Sequence, residues 1–478
     1  VMDLARQHNP EQLHVYLLDF GTNGLLPLID LPHVADTMMV DEVEKVQKFI
    51  RRISEVMKYR KKLLSKYRVA NIEQYEKASK DEIPNIIIVL DNYDAVREAG
   101  FGENFDKVIG QVSREGSSVG VFLATSASKY NSIKMQIVAN IKMMVSLFII
   151  DISDTRAIVG RTDLSIEELS GRGLVNQDGV SVMQTVLPTD GEDVLEQISS
   201  LKSEARSMKA AWEGYLPENI PMMPDELTFA DFITKIDSKN INNDEVAIGL
   251  DFEIVEGVVW NFQKVDNILI LGGSQAGKTT MQYTLLKGLE RASTKKIGNH
   301  VVHIFDTNRG KLKEYREKEI VANYIVDKVA YEEFFNGLSE LLEYRFNELI
   351  KIQDKEGEKA GAEFIQGEQK HFIFIQNIGD FGSGLSSELV NKLVYILDNN
   401  SKLGIHFIIS GTSNNFGQNY SDFTNRVKQI NSGIIIAGYN EQSIVKMDNI
   451  NMYSPKLDSG DAYFVDNGRA TRIKMPKH

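Results

Sequence analysis

Short apolar runs of five to seven residues recur along the chain, separated by longer stretches with helical spacing. HVYLLDF (His14–Phe20), IIIVLDNYD (Ile86–Asp94), FIFIQNIGD (Phe372–Asp380) and GIHFIISGTS (404–413) carry Val, Ile and Phe at successive positions, on both faces of a strand. That is the pattern of parallel strands covered on both sides rather than of a half-exposed sheet. Strand, helical crossover, strand is the arithmetic of a doubly wound α/β domain. MMVSLFII (Met143–Ile150) reads as one more buried strand.

The landmarks also repeat at one offset. Asp306 follows Asp19 by 287 positions, and Thr412 follows Thr125 by 287. Tyr344-Arg345 follows Tyr59-Arg60 by 285, as Gln376 follows Asp91. GRGLVNQDGVSVMQTVLP and SGDAYFVDNGRATRIKMP end on prolines 288 apart, Pro188 and Pro476. Five landmarks in one order at one spacing predict two copies of one domain. The first copy is expected over 1–214 and the second over 246–478. Between them, 215–245 holds Pro217, Pro221 and Pro224, which stop helices and stiffen a connector.

Residues 272–279 read GGSQAGKT and match G-x-x-x-x-G-K-[ST], with a strand before and a helix after. The glycines let consecutive backbone N–H groups turn inward on phosphate oxygens, and the following helix adds its dipole. Gly272, Gly273, Ser274, Gln275, Ala276, Gly277, Lys278, Thr279 and Thr280 are therefore the candidate nucleotide-binding residues, for ATP with Mg2+. Lys278 is expected at the β- and γ-phosphates and the Thr279 hydroxyl at the metal. The bland alternative is a structural glycine loop. By the repeat offset, the first copy's lysine falls before residue 1. The chain is therefore expected to be part of a longer protein that begins inside its first domain; the alternative is that this copy never had a loop.

Hydrolysis asks for more. An Asp at the end of a neighbouring strand usually holds the metal, and an adjacent Glu polarises the water. The second copy ends that strand in Gln376-Asn377, and amides accept no proton near neutral pH. Asp380 lies a few residues on and is a candidate metal-related carboxylate. The first copy offers Asp91 followed by Asn92. Weak or absent turnover is the expectation. Ser126, Thr412 and Ser413 end strands expected beside the loop, either as γ-phosphate sensors or as hydroxyl caps.

The tandem units, GGSQAGKTT, the strand ending LATS and the segment Asp154–Leu174 resemble the FtsK/SpoIIIE class of motor ATPases. More narrowly, they are similar to the coupling ATPases of type VII protein secretion. The resemblance covers essentially the whole chain. It implies two tandem RecA-like P-loop NTPase domains, the second and third of a membrane-anchored parent, facing the cytoplasm and assembling as a homo-hexamer. It implies small WXG-type secreted substrates, recognised by a C-terminal signal, other subunits of the secretion machine as partners, and no nucleic acid. It also makes Arg156, Arg161 and Arg172 candidates for an arginine finger, against the plainer role of surface or ion-pairing residues. Asn92 and Asn377 stand where the class has Glu, and Gln376 where it has Asp, which puts catalysis in doubt.

Composition narrows the rivals. The net charge of −13 disfavours a DNA translocase of the same class, and zero cysteines exclude disulfides and thiolate metal sites. The start, VMDLARQHNPEQ, shows no basic region followed by an apolar one, and no apolar run approaches a membrane span. The basic stretch Arg51–Arg68 has an apolar helical stripe and reads as a solvated helix face. A docking scaffold with a relic loop remains the other rival.

Overall fold

The computed structural model describes residues 1–237, 241–294, 299–307, 309–417, 421–452, 454 and 456–478. The chain divides into two compact α/β units, Val1–Ile220 and Pro221–His478. The division falls within the proline-rich connector. Its beginning is folded onto unit one: Ile220 is buried, and its N–H donates to Asp36 Oδ2 at 2.8 Å. Its remainder is folded into unit two, where Phe229–Asp237 forms a helix and Thr228 bridges to Lys477.

Unit one contains β1 (Leu13–Asp19), β2 (Val34–Met39), β3 (Asn85–Asp91) and β4 (Val121–Thr125) in one parallel sheet, order β2-β1-β3-β4. A separate antiparallel sheet holds β5 (Val145–Leu147), β6 (Arg172–Asn176) and β7 (Val180–Gln184). The helix Val43–Tyr67 buries Ile53, Met57 and Leu64 against the parallel sheet. It stops at Arg68, which turns left-handed at φ 57° and donates its N–H to Leu64 O and Ser65 O.

Unit two contains β8 (Glu245–Asp251), β9 (Gly257–Asn261), β10 (Ile268–Gly272), β11 (His300–Phe305), β12 (Val321–Ile325), β13 (Lys370–Ile375), β14 (Ile405–Gly411), β15 (Gly433–Ile436), β16 (Asp461–Asp466) and β17 (Arg469–Lys474). They form one sheet in the order β12-β11-β13-β14-β10-β15-β16-β17-β8-β9. The strands from β12 to β15 are parallel, and the far end is antiparallel. Apolar clusters cover both faces. The β-branched runs thus sit where two buried faces require them.

The repeated Tyr-Arg landmark has a structural cause. Arg60 is buried and donates to the carbonyls of Val119, Gly120 and Pro84. Arg345 is buried and donates to those of Leu403, Gly404 and Gln369. In each unit one guanidinium fork gathers the turns that lead into two adjacent strands.

Met143–Ile150 is not a buried strand. Only Val145–Leu147 is extended, at the edge of the three-stranded sheet, with Leu147 54% and Ile150 93% exposed. Its counterpart β15 is buried because β10 and β16 flank it. In unit one the sheet ends at β4, and among the described residues no strand lies at that edge. An apolar run reports the capacity for burial, not the presence of a neighbour.

Candidate nucleotide site

β10 runs buried between β14 and β15, in register with both. It ends at Gly272, where a β-carbon would lie 2.8 Å from Ile436 O. Only glycine lets the chain leave the sheet there. Gly273, Ser274 and Gln275 are exposed, Gln275 turns to φ 62° and Gly277 to φ 109°. Ala276 follows, and the helix Lys278–Thr294 begins at once. Thr279 and Thr280 occupy its first turn, where Thr280 O accepts from Thr284 Oγ1 at 3.1 Å. Lys278 folds back over the loop and donates to Gly272 O at 3.0 Å and Gly273 O at 2.5 Å. Burial holds its ammonium below the ordinary lysine range, and the charge of Lys311 adds to that.

The end of β13 is occupied by amides. Gln376 is buried, and its N–H donates to Phe305 O at 3.0 Å. Asn377 caps the helix Ile378–Gly382, accepting from Gly379 N at 2.9 Å. Asp380 is exposed in that helix's first turn. The strand-end hydroxyls of this unit are engaged elsewhere. Thr412 donates from both N and Oγ1 to Asn415 Oδ1, at 3.0 and 2.8 Å. Ser413 Oγ donates to Glu441 O at 3.0 Å. Thr412 Oγ1 also accepts from Asn415 N at 3.2 Å and so caps the helix Ser413–Gly417, whereas Ser413 ties that helix to Glu441.

Unit one differs. Ser126 Oγ donates to Asp91 Oδ1 at 2.6 Å and accepts from Asn92 N at 2.9 Å. Asn92 sits left-handed at φ 61° and donates Nδ2 to Phe20 O at 3.1 Å. The structure therefore brings Asp91, Asn92 and Ser126 together, at the ends of β3 and β4. The arginine candidates are occupied locally or exposed. Arg156 Nε donates to Thr162 O at 3.3 Å, Arg172 Nε to Gln184 Oε1 at 3.2 Å, and Arg161 is exposed.

Sequence reasoning passed over the loop that follows β11. Asp306, used only as a repeat landmark, is buried at the strand end. Its Oδ1 accepts from Thr307 N at 2.7 Å, and its Oδ2 from Leu312 N at 2.8 Å and from the Tyr324 hydroxyl. The Tyr283 hydroxyl, on the phosphate-loop helix, donates to Lys311 O at 2.9 Å. The repeat itself was the available signal for this loop.

The loop's turned-in backbone and Lys278 suit a triphosphate. The donor set for a hydrated Mg2+ fits poorly. Gln376 supplies a neutral amide where a carboxylate belongs, and both oxygens of Asp306 are taken. Among the described residues, no three His, Cys, Asp or Glu side chains converge as a metal site.

A strand, this loop and a helix within a parallel sheet define a P-loop NTPase fold. Residues 1–166 match the FtsK/SpoIIIE family. The type VII secretion system protein EssC of Staphylococcus aureus (strain MRSA252) is 31% identical over 478 residues, 99% of this chain and 30% of EssC. The ESX secretion system protein YukB of Bacillus subtilis (strain 168) is 28% identical over 479 residues, 100% of this chain and 31% of YukB. The solved structure of EssC ATPases 2 and 3 from Geobacillus thermodenitrificans aligns with a TM-score of 0.87 at 28% identity, covering 100% of this chain and 87% of that one. Over its whole length the chain is similar to the EssC proteins, and its residues 1–166 carry the FtsK/SpoIIIE family pattern. It spans about a third of the length of the curated relatives it matches. Among the described residues, no helix is long and apolar enough to cross a membrane.

Proposed function

We infer that the chain is the ATP-binding part of the coupling ATPase of a type VII secretion system. In this reading unit two holds ATP at Gly272–Thr280 and turns it over weakly or not at all. The observation that carries it is the pairing of an intact phosphate loop with Gln376 and Asn377 at the end of β13. Lys278 would leave Gly272 O and Gly273 O to meet the phosphates, and the loop N–H groups would cradle them. No group at that strand end can take a proton from water.

In the same reading the parent is anchored in the cell membrane with these units in the cytoplasm. It assembles as a homo-hexamer with other subunits of the machine, and exports small WXG-type proteins recognised by a C-terminal signal. ATP bound to unit two then serves assembly or conformation. The likeness to about a third of EssC and YukB, over the whole of this chain, supports this, and the net charge of −13 is consistent with a protein cargo.

The test is equilibrium ATP binding and steady-state phosphate release, wild type beside Lys278→Ala. Micromolar binding lost on substitution, with release near background, is the expected result. Binding that survives Lys278→Ala, or none in either protein, overturns the reading.

A further inference from the structure

The two units differ in charge at the end of one pair of corresponding strands, β3 and β13. In unit one Asp19 pairs with Asp91 across β1 and β3. In unit two Phe305 pairs with Ile375, which places Asp306 beside Gln376. The loops that follow are built alike. Asp19 Oδ2 accepts from Leu25 N at 2.8 Å, and Asp306 Oδ2 accepts from Leu312 N at 2.8 Å. Four residues beyond each aspartate the backbone turns left-handed, φ 65° at Asn23 and φ 56° at Gly310. Lys311 therefore occupies the place of Gly24.

That place faces the strand end. A β-carbon built on Gly24 lies 3.9 Å from Asp91 Oδ2. Unit one thus presents a carboxylate and no side chain opposite it. Unit two presents an amide and a lysine. The exchange removes the anion that would hold a metal and adds a cation where the metal's charge would act. The Tyr283–Lys311 hydrogen bond pins this loop to the phosphate-loop helix, five residues beyond Lys278. Lys311 is also near enough to disfavour the charge on Lys278, so the two ammonium groups act on one region. A lysine serves phosphate as a point charge and needs no fixed fork of donors.

Resting on the nucleotide reading of unit two, we propose that Lys311 stands in for the metal ion: its ammonium contacts the terminal phosphates, and the site takes the metal-free triphosphate as readily as the magnesium complex. Lys311 is a phosphate-contacting residue in this scheme. No bond to phosphorus forms or breaks.

The experiment is ATP binding to the full chain in excess EDTA and in excess Mg2+, for wild type, Lys278→Ala, Lys311→Ala and Lys311→Arg. Wild-type affinities in the two buffers are expected to agree within about threefold. Lys311→Ala is expected to lose about tenfold in EDTA, roughly 1.4 kcal/mol, and less in Mg2+. Lys311→Arg retains most of the EDTA affinity. Melting temperatures separate loss of contact from loss of fold. Wild-type binding that weakens tenfold or more in EDTA, or Lys311→Ala binding like wild type there, overturns the proposal and leaves the nucleotide reading standing. Absence of binding in both buffers overturns the reading and the proposal with it.

Discussion

Ser126 donates its hydroxyl to Asp91 Oδ1 at 2.6 Å, joining the ends of two adjacent parallel strands. The same hydroxyl accepts from Asn92 N, so one side chain fixes both the carboxylate and the left-handed turn after it. A β-carbon on Gly21 would come within 2.5 Å of Asp91 Oδ2, so the neighbouring loop is fitted around this carboxylate. Unit two keeps the serine but not the pair: Gln376 replaces Asp91, and Ser413 turns to Glu441 O.

Ser126→Ala removes a hydrogen bond at a half-buried carboxylate, and about 1 kcal/mol of local stability is expected to go with it. Hydrogen exchange at the β3 and β4 amides reads the loss, while ATP affinity at unit two stays unchanged. A drop in that affinity would contradict a purely local role for this pair.

Thr412→Val distinguishes a cap from a sensor. The Thr412 hydroxyl is spent on Asn415 Oδ1 and accepts from Asn415 N at 3.2 Å. Loss of such a cap costs about 1 kcal/mol. The expectation is a lower unfolding midpoint in urea with ATP affinity within twofold of wild type. A tenfold affinity loss at unchanged stability would restore the sensor role.

Much of this was legible from residues alone. The phosphate loop, the amide pair after β13 and the two-fold repeat are local patterns whose chemistry does not depend on context. The Tyr-Arg landmark was visible, but its cause was not: the partners of Arg345 lie 58 and 24 residues away, at Leu403 O and Gln369 O. Lys311 was illegible because an exposed lysine in a polar loop resembles any other. It gained meaning only when the backbone turns at Asn23 and Gly310 were seen to coincide. Met143–Ile150 failed for the opposite reason, since its composition carries no record of which neighbour is present.

The buried guanidinium of Arg345 supports turns on which two central strands depend. Arg345→Ala leaves the carbonyls of Leu403 and Gln369 without their donor and opens a cavity beneath them. A loss of about 3 kcal/mol is expected, enough to lower the melting temperature of unit two by several degrees. Arg345→Lys is expected to recover little, because a single ammonium does not reproduce the fork. Differential scanning calorimetry of both variants checks this; a lysine variant as stable as wild type would refute the gathering role.

Acid sensitivity of unit two follows from its buried histidines. His303 and His406 are held to about 4 and about 3 by burial. His303 contacts Asn323 and stacks on His371, while His406 lies among Trp260, Phe262 and Phe372 with Nδ1 against Asp266 O. The sign is fixed by where protons bind. Unfolded histidines protonate near 6.5, and the folded ones resist until far lower pH. Between those values the unfolded state holds more protons, so stability falls as pH falls from about 6.5 toward 4. The loss approaches about 1.4 kcal/mol per pH unit for each such histidine within that window. His303→Phe removes one titrating group, and the melting temperature of unit two is expected to fall less steeply between pH 6.5 and 5 than in wild type. An unchanged slope would mean that His303 protonates in the folded state, and its burial would then not govern the acid response.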